Sequence, residues 1–213
     1  MDSPNGNTYR GTTTINNGTL LVNNLTGYAM GDGAVIVNGG VTTHGILGGS
    51  GFISGPVTVN SGGTLAPGAS AGTITINNSL NLKQGSFLKL QLGGAGAGEF
   101  DRVSGLTALI LDGTIDVSLI NGFDPTVGQS FDLIDWTLSL NAVGFNVNSD
   151  LHLPGLDPGL AWDRSSFLTD GSIAVAQVPE ASDGVLILAL LFGGCAAKSW
   201  QACARNRGII GPL

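Results

Sequence analysis

Apolar and polar residues alternate in short bursts along the first half of the chain, and each burst stops at an Asn-Gly, Asn-Asn or Gly-Gly corner. Thr14-Ile15-Asn16-Asn17-Gly18-Thr19-Leu20 reappears as Val57-Thr58-Val59-Asn60-Ser61-Gly62-Gly63-Thr64-Leu65. A third version is Thr73-Ile74-Thr75-Ile76-Asn77-Asn78-Ser79-Leu80, and a looser one runs from Ala34 to Val41. Period-two alternation of this kind predicts strands with one buried face. The corner asparagines Asn16, Asn38, Asn60 and Asn77 are separated by 22, 22 and 17 residues, near the short end of solenoid repeat lengths. One such unit cannot bury its apolar side alone, so the pattern predicts stacked coils in which each strand pairs in parallel with the next. Asparagine tolerates left-handed corners and can pair amide to amide between layers, so these four residues are expected to form a turn ladder. Helices between the strands are not expected, because no amphipathic stretch of sufficient length intervenes.

The rhythm changes after Ser86. Phe87–Leu92 still alternates, Gly93–Gly98 reads as a flexible connection, and the strand candidates that follow are more irregular. They are Asp101–Val103, Ala108–Leu111, Thr114–Leu119, Ser130–Trp136, Ala161–Trp162 and Ser172–Ala176. Residues 1–98 are therefore read as β-solenoid repeats. Residues 99–177 are read as a β region that continues or caps the coil, with more antiparallel pairing. Its Phe and Trp residues suit a cap over an open end. The last segment, 178–213, differs in kind. Val178-Pro179-Glu180 leads into the apolar run Gly184–Ala197, and Lys198, Arg205 and Arg207 follow. As a helix that run would span about 21 Å, and continuing to Ala204 would bring it to about 31 Å, near the thickness of a hydrocarbon core. The three basic residues would then act as a basic stop, holding the C-terminus inside and the body outside.

Composition narrows the function. Glycine supplies 35 of 213 residues while charged residues make up only 11%, which is neither disordered nor collagen-like composition. The net charge of −7 argues against a nucleic-acid partner, which needs clustered Lys and Arg. Cys195 and Cys203 both lie in the tail; on a helix they would stand about 12 Å apart, too far for a mutual disulfide. Met1–Tyr9 shows neither the basic nor the apolar region of a secretory signal. A truncated or misassigned start is expected, because the chain opens inside a repeat.

Three stretches and the tail resemble known sequence families. Asn7–Asn24 resembles the autotransporter-associated β-strand repeat, and Gly49–Gly68 is similar to the segment that often follows it. Phe100–Val103 through Trp136, with Leu160–Asp163, looks like the region that closes such chains. The tail resembles the bacterial sorting signal known as PEP-CTERM, with Ala181 where a second proline is usual. The resemblance implies an all-β chain built as a right-handed parallel β-helix (solenoid), with a C-terminal β cap region and a single short hydrophobic C-terminal helix. It also implies Val178, Pro179 and Glu180 as the sorting motif, an exosortase-type processing enzyme as partner, and contact with the membrane through the C-terminal helix. The place would be the cell envelope or extracellular surface.

Candidate chemistry is sparse. With His44 and His152 the only histidines, a two-histidine metal motif on one element is excluded, and no metal or cofactor is expected. His44 reads as a solvated turn residue and His152 as a packed one beside leucines. No Gly-x-Ser-x-Gly elbow or phosphate loop is present. Asp132 and Asp135 flank a strand, and Asp112, Asp116, Asp157 and Asp163 are scattered. A glycosidase needs two carboxyls in one cleft, which strand spacing alone cannot establish. The expected function is a non-catalytic surface or matrix protein of structural or adhesive type, meeting extracellular polysaccharide. The alternatives are a carbohydrate-active β-helix enzyme, marked by acids and a base converging in one groove, and an autotransporter passenger fragment.

Overall fold

The computed structural model describes residues 6–40, 42–68 and 70–179. Three strand-bearing faces wind around one apolar core. The first face holds β1 (Thr13–Ile15), β3 (Val35–Val37), β6 (Val57–Val59) and β9 (Ser79–Leu82), each parallel to the next. The second holds β2 (Gly18–Leu21), β4 (Gly45–Gly49), β7 (Thr64–Pro67), β10 (Phe87–Leu92), β12 (Thr114–Leu119) and β15 (Leu151–His152), again in parallel order. The third and narrowest holds β5 (Phe52–Ile53) and β8 (Thr73–Ile76).

β11 (Arg102–Leu111) runs through the corner that joins the third face to the first. Its Arg102–Ser104 pairs with β8 and its Ala108–Leu111 with β9. Gly105, at φ +77°, makes the bend between the two halves. β14 (Ile134–Asn141) lies parallel to β11 with two register shifts. The result is a parallel β-solenoid of about five turns with almost no helix.

The core follows from register. Leu47, Leu65, Leu88, Ile115 and Leu151 stack in one inward column of the second face, and all are at most 1% exposed. Val35, Val57, Leu80 and Leu109 do the same on the first. Parallel in-register stacking places like residues over like, so the period-two pattern of one rung supports that of the next.

Parallel pairing does not stop at residue 98. β11, β12, β14 and β15 carry the coil onward, and a small antiparallel sheet is added beside it in the order β13 (Ser130–Asp132), β17 (Ser172–Gln177), β16 (Leu160–Asp163). Ser130–Trp136, read above as one strand, is two. Leu133 breaks it, donating its amide to Gly171 O and accepting from Val103 N, so that β13 joins the antiparallel sheet and β14 the coil. One helical turn, α1 (Phe167–Asp170), connects β16 to β17 and buries Phe167.

Among the described residues no helix is long and apolar enough to cross a membrane. The run from Gly184, Glu180 of the expected sorting motif, and the expected basic stop Lys198, Arg205 and Arg207 all lie outside the described residues.

Candidate functional site

Three constellations of polar side chains stand out from the coil. The first is at the corner between the first and second faces. Asn38 Nδ2 donates to Asn16 Oδ1 at 2.8 Å, and Asn60 Nδ2 donates to Asn38 Oδ1 at 2.6 Å. The 22-residue repeat thus becomes a continuous line of amides running down the corner. Its next two positions are Lys83 and Asp112, whose amides bond to Val59 O and Leu82 O as that of Asn60 bonds to Val37 O.

Asn77 stands elsewhere. It follows Ile76 of β8, at the corner between the third and first faces, and its nearest side-chain partner is Tyr28 Oη at 3.5 Å. The corner beside the ladder is closed by glycine. A Cβ on Gly39 would fall 2.0 Å from the backbone of Gly62 one rung on, so no larger residue fits without moving the coil.

The second constellation is built on four consecutive residues, Phe100-Asp101-Arg102-Val103. Alternation turns Arg102 outward and Val103 inward at the start of β11, while Phe100 and Asp101 precede the strand. Val103 enters the core beside Ile74 and Ile134. Phe100 packs edge-on against Phe131, with centroids 5.5 Å apart, and Phe123 and Trp162 complete the ring around Phe131 at 6.0 and 5.9 Å. Asp101, only 1% exposed, accepts the Gly72 amide on Oδ1 and the Gln91 amide on Oδ2, each at 2.8 Å. Burial pushes its carboxyl up to about 7, against the pull of those two hydrogen bonds. Arg102 turns outward, with Nη2 2.5 Å from Asp132 Oδ2 and 3.5 Å from Asp135 Oδ2. Burial raises the Asp132 carboxyl; the Arg102 charge opposes this, while the negative charges of Asp135 and Asp170 add to it.

The third is a pair on the outer side of the second face. His152 Nδ1 lies 2.7 Å from Asp116 Oδ1, its register partner. Nε2 lies 3.0 Å from the backbone oxygen of Ser149. The His152 side chain is 60% exposed, not packed among leucines as its sequence neighbours suggested, because Leu151 takes the inward position and His152 the outward one. Both partners are acceptor oxygens, so the neutral ring can donate to only one of them, and among the described residues no serine hydroxyl bonds to either nitrogen. His44 is exposed, as a turn residue should be. Among the described residues no group of three or more His, Cys, Asp or Glu is arranged to hold a metal ion.

Of Val178, Pro179 and Glu180, expected above to form a sorting motif, Val178 and Pro179 are described. Val178 is 45% exposed and donates its amide to Gly159 O, closing the antiparallel sheet.

Over 91 residues, or 40% of its length, the chain is 44% identical to the adhesin BmaC autotransporter of Brucella suis biovar 1 (strain 1330). The likeness is to an adhesin. The chain spans only 3% of that protein's length. No family model matches the chain, and no solved structure does.

Sequence reasoning missed the meeting of Arg102 with Asp132 and Asp135. The only signal available was the run Phe100–Val103 itself, which interrupts the repeat with two adjacent opposite charges.

Proposed function

We infer that this chain is a non-catalytic segment of a cell-surface adhesive or structural protein, in which a stiff β rod presents Asn-, Thr- and Ser-rich faces to extracellular polysaccharide or to neighbouring cells. The observation that carries this reading is the 91-residue likeness to an autotransporter adhesin, falling on a chain that winds as a solenoid. The Asn ladder and the stacked core favour it, because in-register stacking ties each rung to the next along the coil. In this reading Val178, Pro179 and Glu180 are the site at which an exosortase-type enzyme processes the chain, and the segment ending in Lys198, Arg205 and Arg207 anchors it in the membrane beforehand. Cell fractionation with intact-mass measurement of the native protein tests both parts. An envelope form shortened near Pro179-Glu180 is expected; a full-length cytoplasmic form would refute the surface role.

One observation favours a second reading as a carbohydrate-active enzyme. Arg102, Asp132 and Asp135 converge, and sharing one guanidinium nitrogen keeps the two bonded carboxylate oxygens no more than about 6 Å apart, a bound that admits the roughly 5–5.5 Å separation of retaining glycosidases and excludes the wider inverting one. Against it, the guanidinium occupies the space between the acids where a glycosidic oxygen would have to sit. Incubation of the chain and of Asp132→Asn with acidic and neutral polysaccharides separates the two readings. The adhesive reading expects no new reducing ends from either protein; turnover that Asp132→Asn abolishes would establish the enzyme.

A further inference from the structure

β15 is held to the coil by little backbone. It is two residues long, with Leu151 paired to Ile115 and His152 to Asp116, and the Ile115 amide donates to Asp150 O at 2.8 Å. The loop before it, residues 146–150, lies between β14 and β15 and is closed on itself. Asn146 O accepts the amides of Ser149 and Asp150, and Asp150 Oδ2 accepts the amide of Asn146 at 2.7 Å. Among the described residues one side chain bonds to both this loop and β12. His152 reaches Asp116 Oδ1 through Nδ1 at 2.7 Å and Ser149 O through Nε2 at 3.0 Å.

A neutral ring cannot make both contacts as hydrogen bonds. Neutral imidazole carries one N–H and one lone pair, whereas the carboxylate and the carbonyl only accept. With one proton on the ring, one of the two short contacts sets lone pair against lone pair. With two protons the ring donates to both oxygens, and the bond to Asp116 joins opposite charges. The surrounding charges favour the second state. Asp116 on β12 and Asp150 in the loop are negative, while Lys89 on β10, in the same outward column, lies one strand beyond Asp116.

We propose that His152 is a protonation-dependent latch, which as imidazolium fastens the 146–150 loop and β15 to β12 and on losing its proton releases them. Linkage gives the sign, because the closed arrangement binds the proton that the open one does not need. The latch holds at the acid end of the range in which histidine side chains change charge, roughly pH 5 to 8, and loosens toward the alkaline end. The ring is 60% exposed, so it exchanges protons with solvent without unfolding of the coil. Its neighbour Leu151, 1% exposed, stacks on Ile115 in the inward column of the second face, so release also loosens a core contact.

Amide hydrogen exchange of the 213-residue chain, read as protection factors from about pH 5 to about pH 8, tests this. Ile115 and Asp150, whose amides bond to Asp150 O and Asn146 O, should lose protection by about fivefold or more across that range, as the loss of one hydrogen bond implies. The amide of Asn60, held by Val37 O in an inner rung, reports any effect of pH on the whole coil. His152→Gln keeps a donor that does not titrate, so the extra decline at Ile115 and Asp150 should vanish while the behaviour of Asn60 stays as in the parent. Asp116→Asn keeps an acceptor without its charge and should reduce the extra decline. Protection at Ile115 and Asp150 that follows Asn60 at every pH in the parent, or an extra decline that survives in His152→Gln, would overturn the proposal.

Discussion

Arg102 Nη2 sits 2.5 Å from Asp132 Oδ2 across 30 residues of sequence, and this pair ties the parallel coil to the antiparallel sheet. Both side chains remain partly exposed, so solvent screens their attraction. Removing either one is expected to cost about 1 kcal/mol. A double-mutant cycle of Arg102→Ala and Asp132→Ala, followed by urea denaturation, should return a positive coupling energy of that size. Purely additive effects would show that the contact contributes nothing to the union of the two parts.

Asn38 accepts from Asn60 and donates to Asn16, so Asn38→Ala removes two hydrogen bonds at once. A loss of about 1–2 kcal/mol is expected. Asn77→Ala, which loses only a 3.5 Å contact with Tyr28, should cost less than about 0.5 kcal/mol. Equal effects at the two positions would mean that the ladder has no special weight.

Gly39→Ala places a methyl group 2.0 Å from the Gly62 backbone, where no flexible side chain can give way. Destabilisation of about 1–3 kcal/mol is expected, with a lowered midpoint in thermal unfolding. A neutral substitution would show that successive rungs can slide apart at this corner at little cost.

Asp101 sets a pH dependence of definite sign. Burial raises its carboxyl from 3.8 in the unfolded chain to about 7 in the folded one, so the folded state holds more protons in that window. Stability is therefore greatest below about pH 4 for this group and falls as pH rises toward 7. Asp132, also raised by burial, acts in the same direction. Denaturation midpoints measured between pH 4 and pH 8 should decline for the parent chain and decline less for Asp101→Asn. An identical slope in both would remove Asp101 as the cause.

Much of the coil was legible beforehand because its rules are local and repeat. Alternation assigned Ile15, Val57, Leu65 and Leu88 to the interior, and the Asn-Gly corners marked where strands end. The site was less legible. Thr73–Leu80 looks like a copy of Thr14–Leu20, yet its first half belongs to the third face and its second half to the first. That shift is why Asn77 leaves the ladder and Lys83 takes the fourth position. A strand that alternates reveals which of its residues are buried, but not which face of the coil it lies on.

The sequence by itself determined the strand class, the corner chemistry and the 22-residue stacking of Asn16, Asn38 and Asn60, since each depends on near neighbours and a constant period. Only the tertiary structure decided that the coil has three faces, that His152 meets Asp116, and that Arg102 meets Asp132 and Asp135. Those meetings depend on the summed length of every rung and insertion between the partners, and one residue more or less turns each side chain to the opposite face.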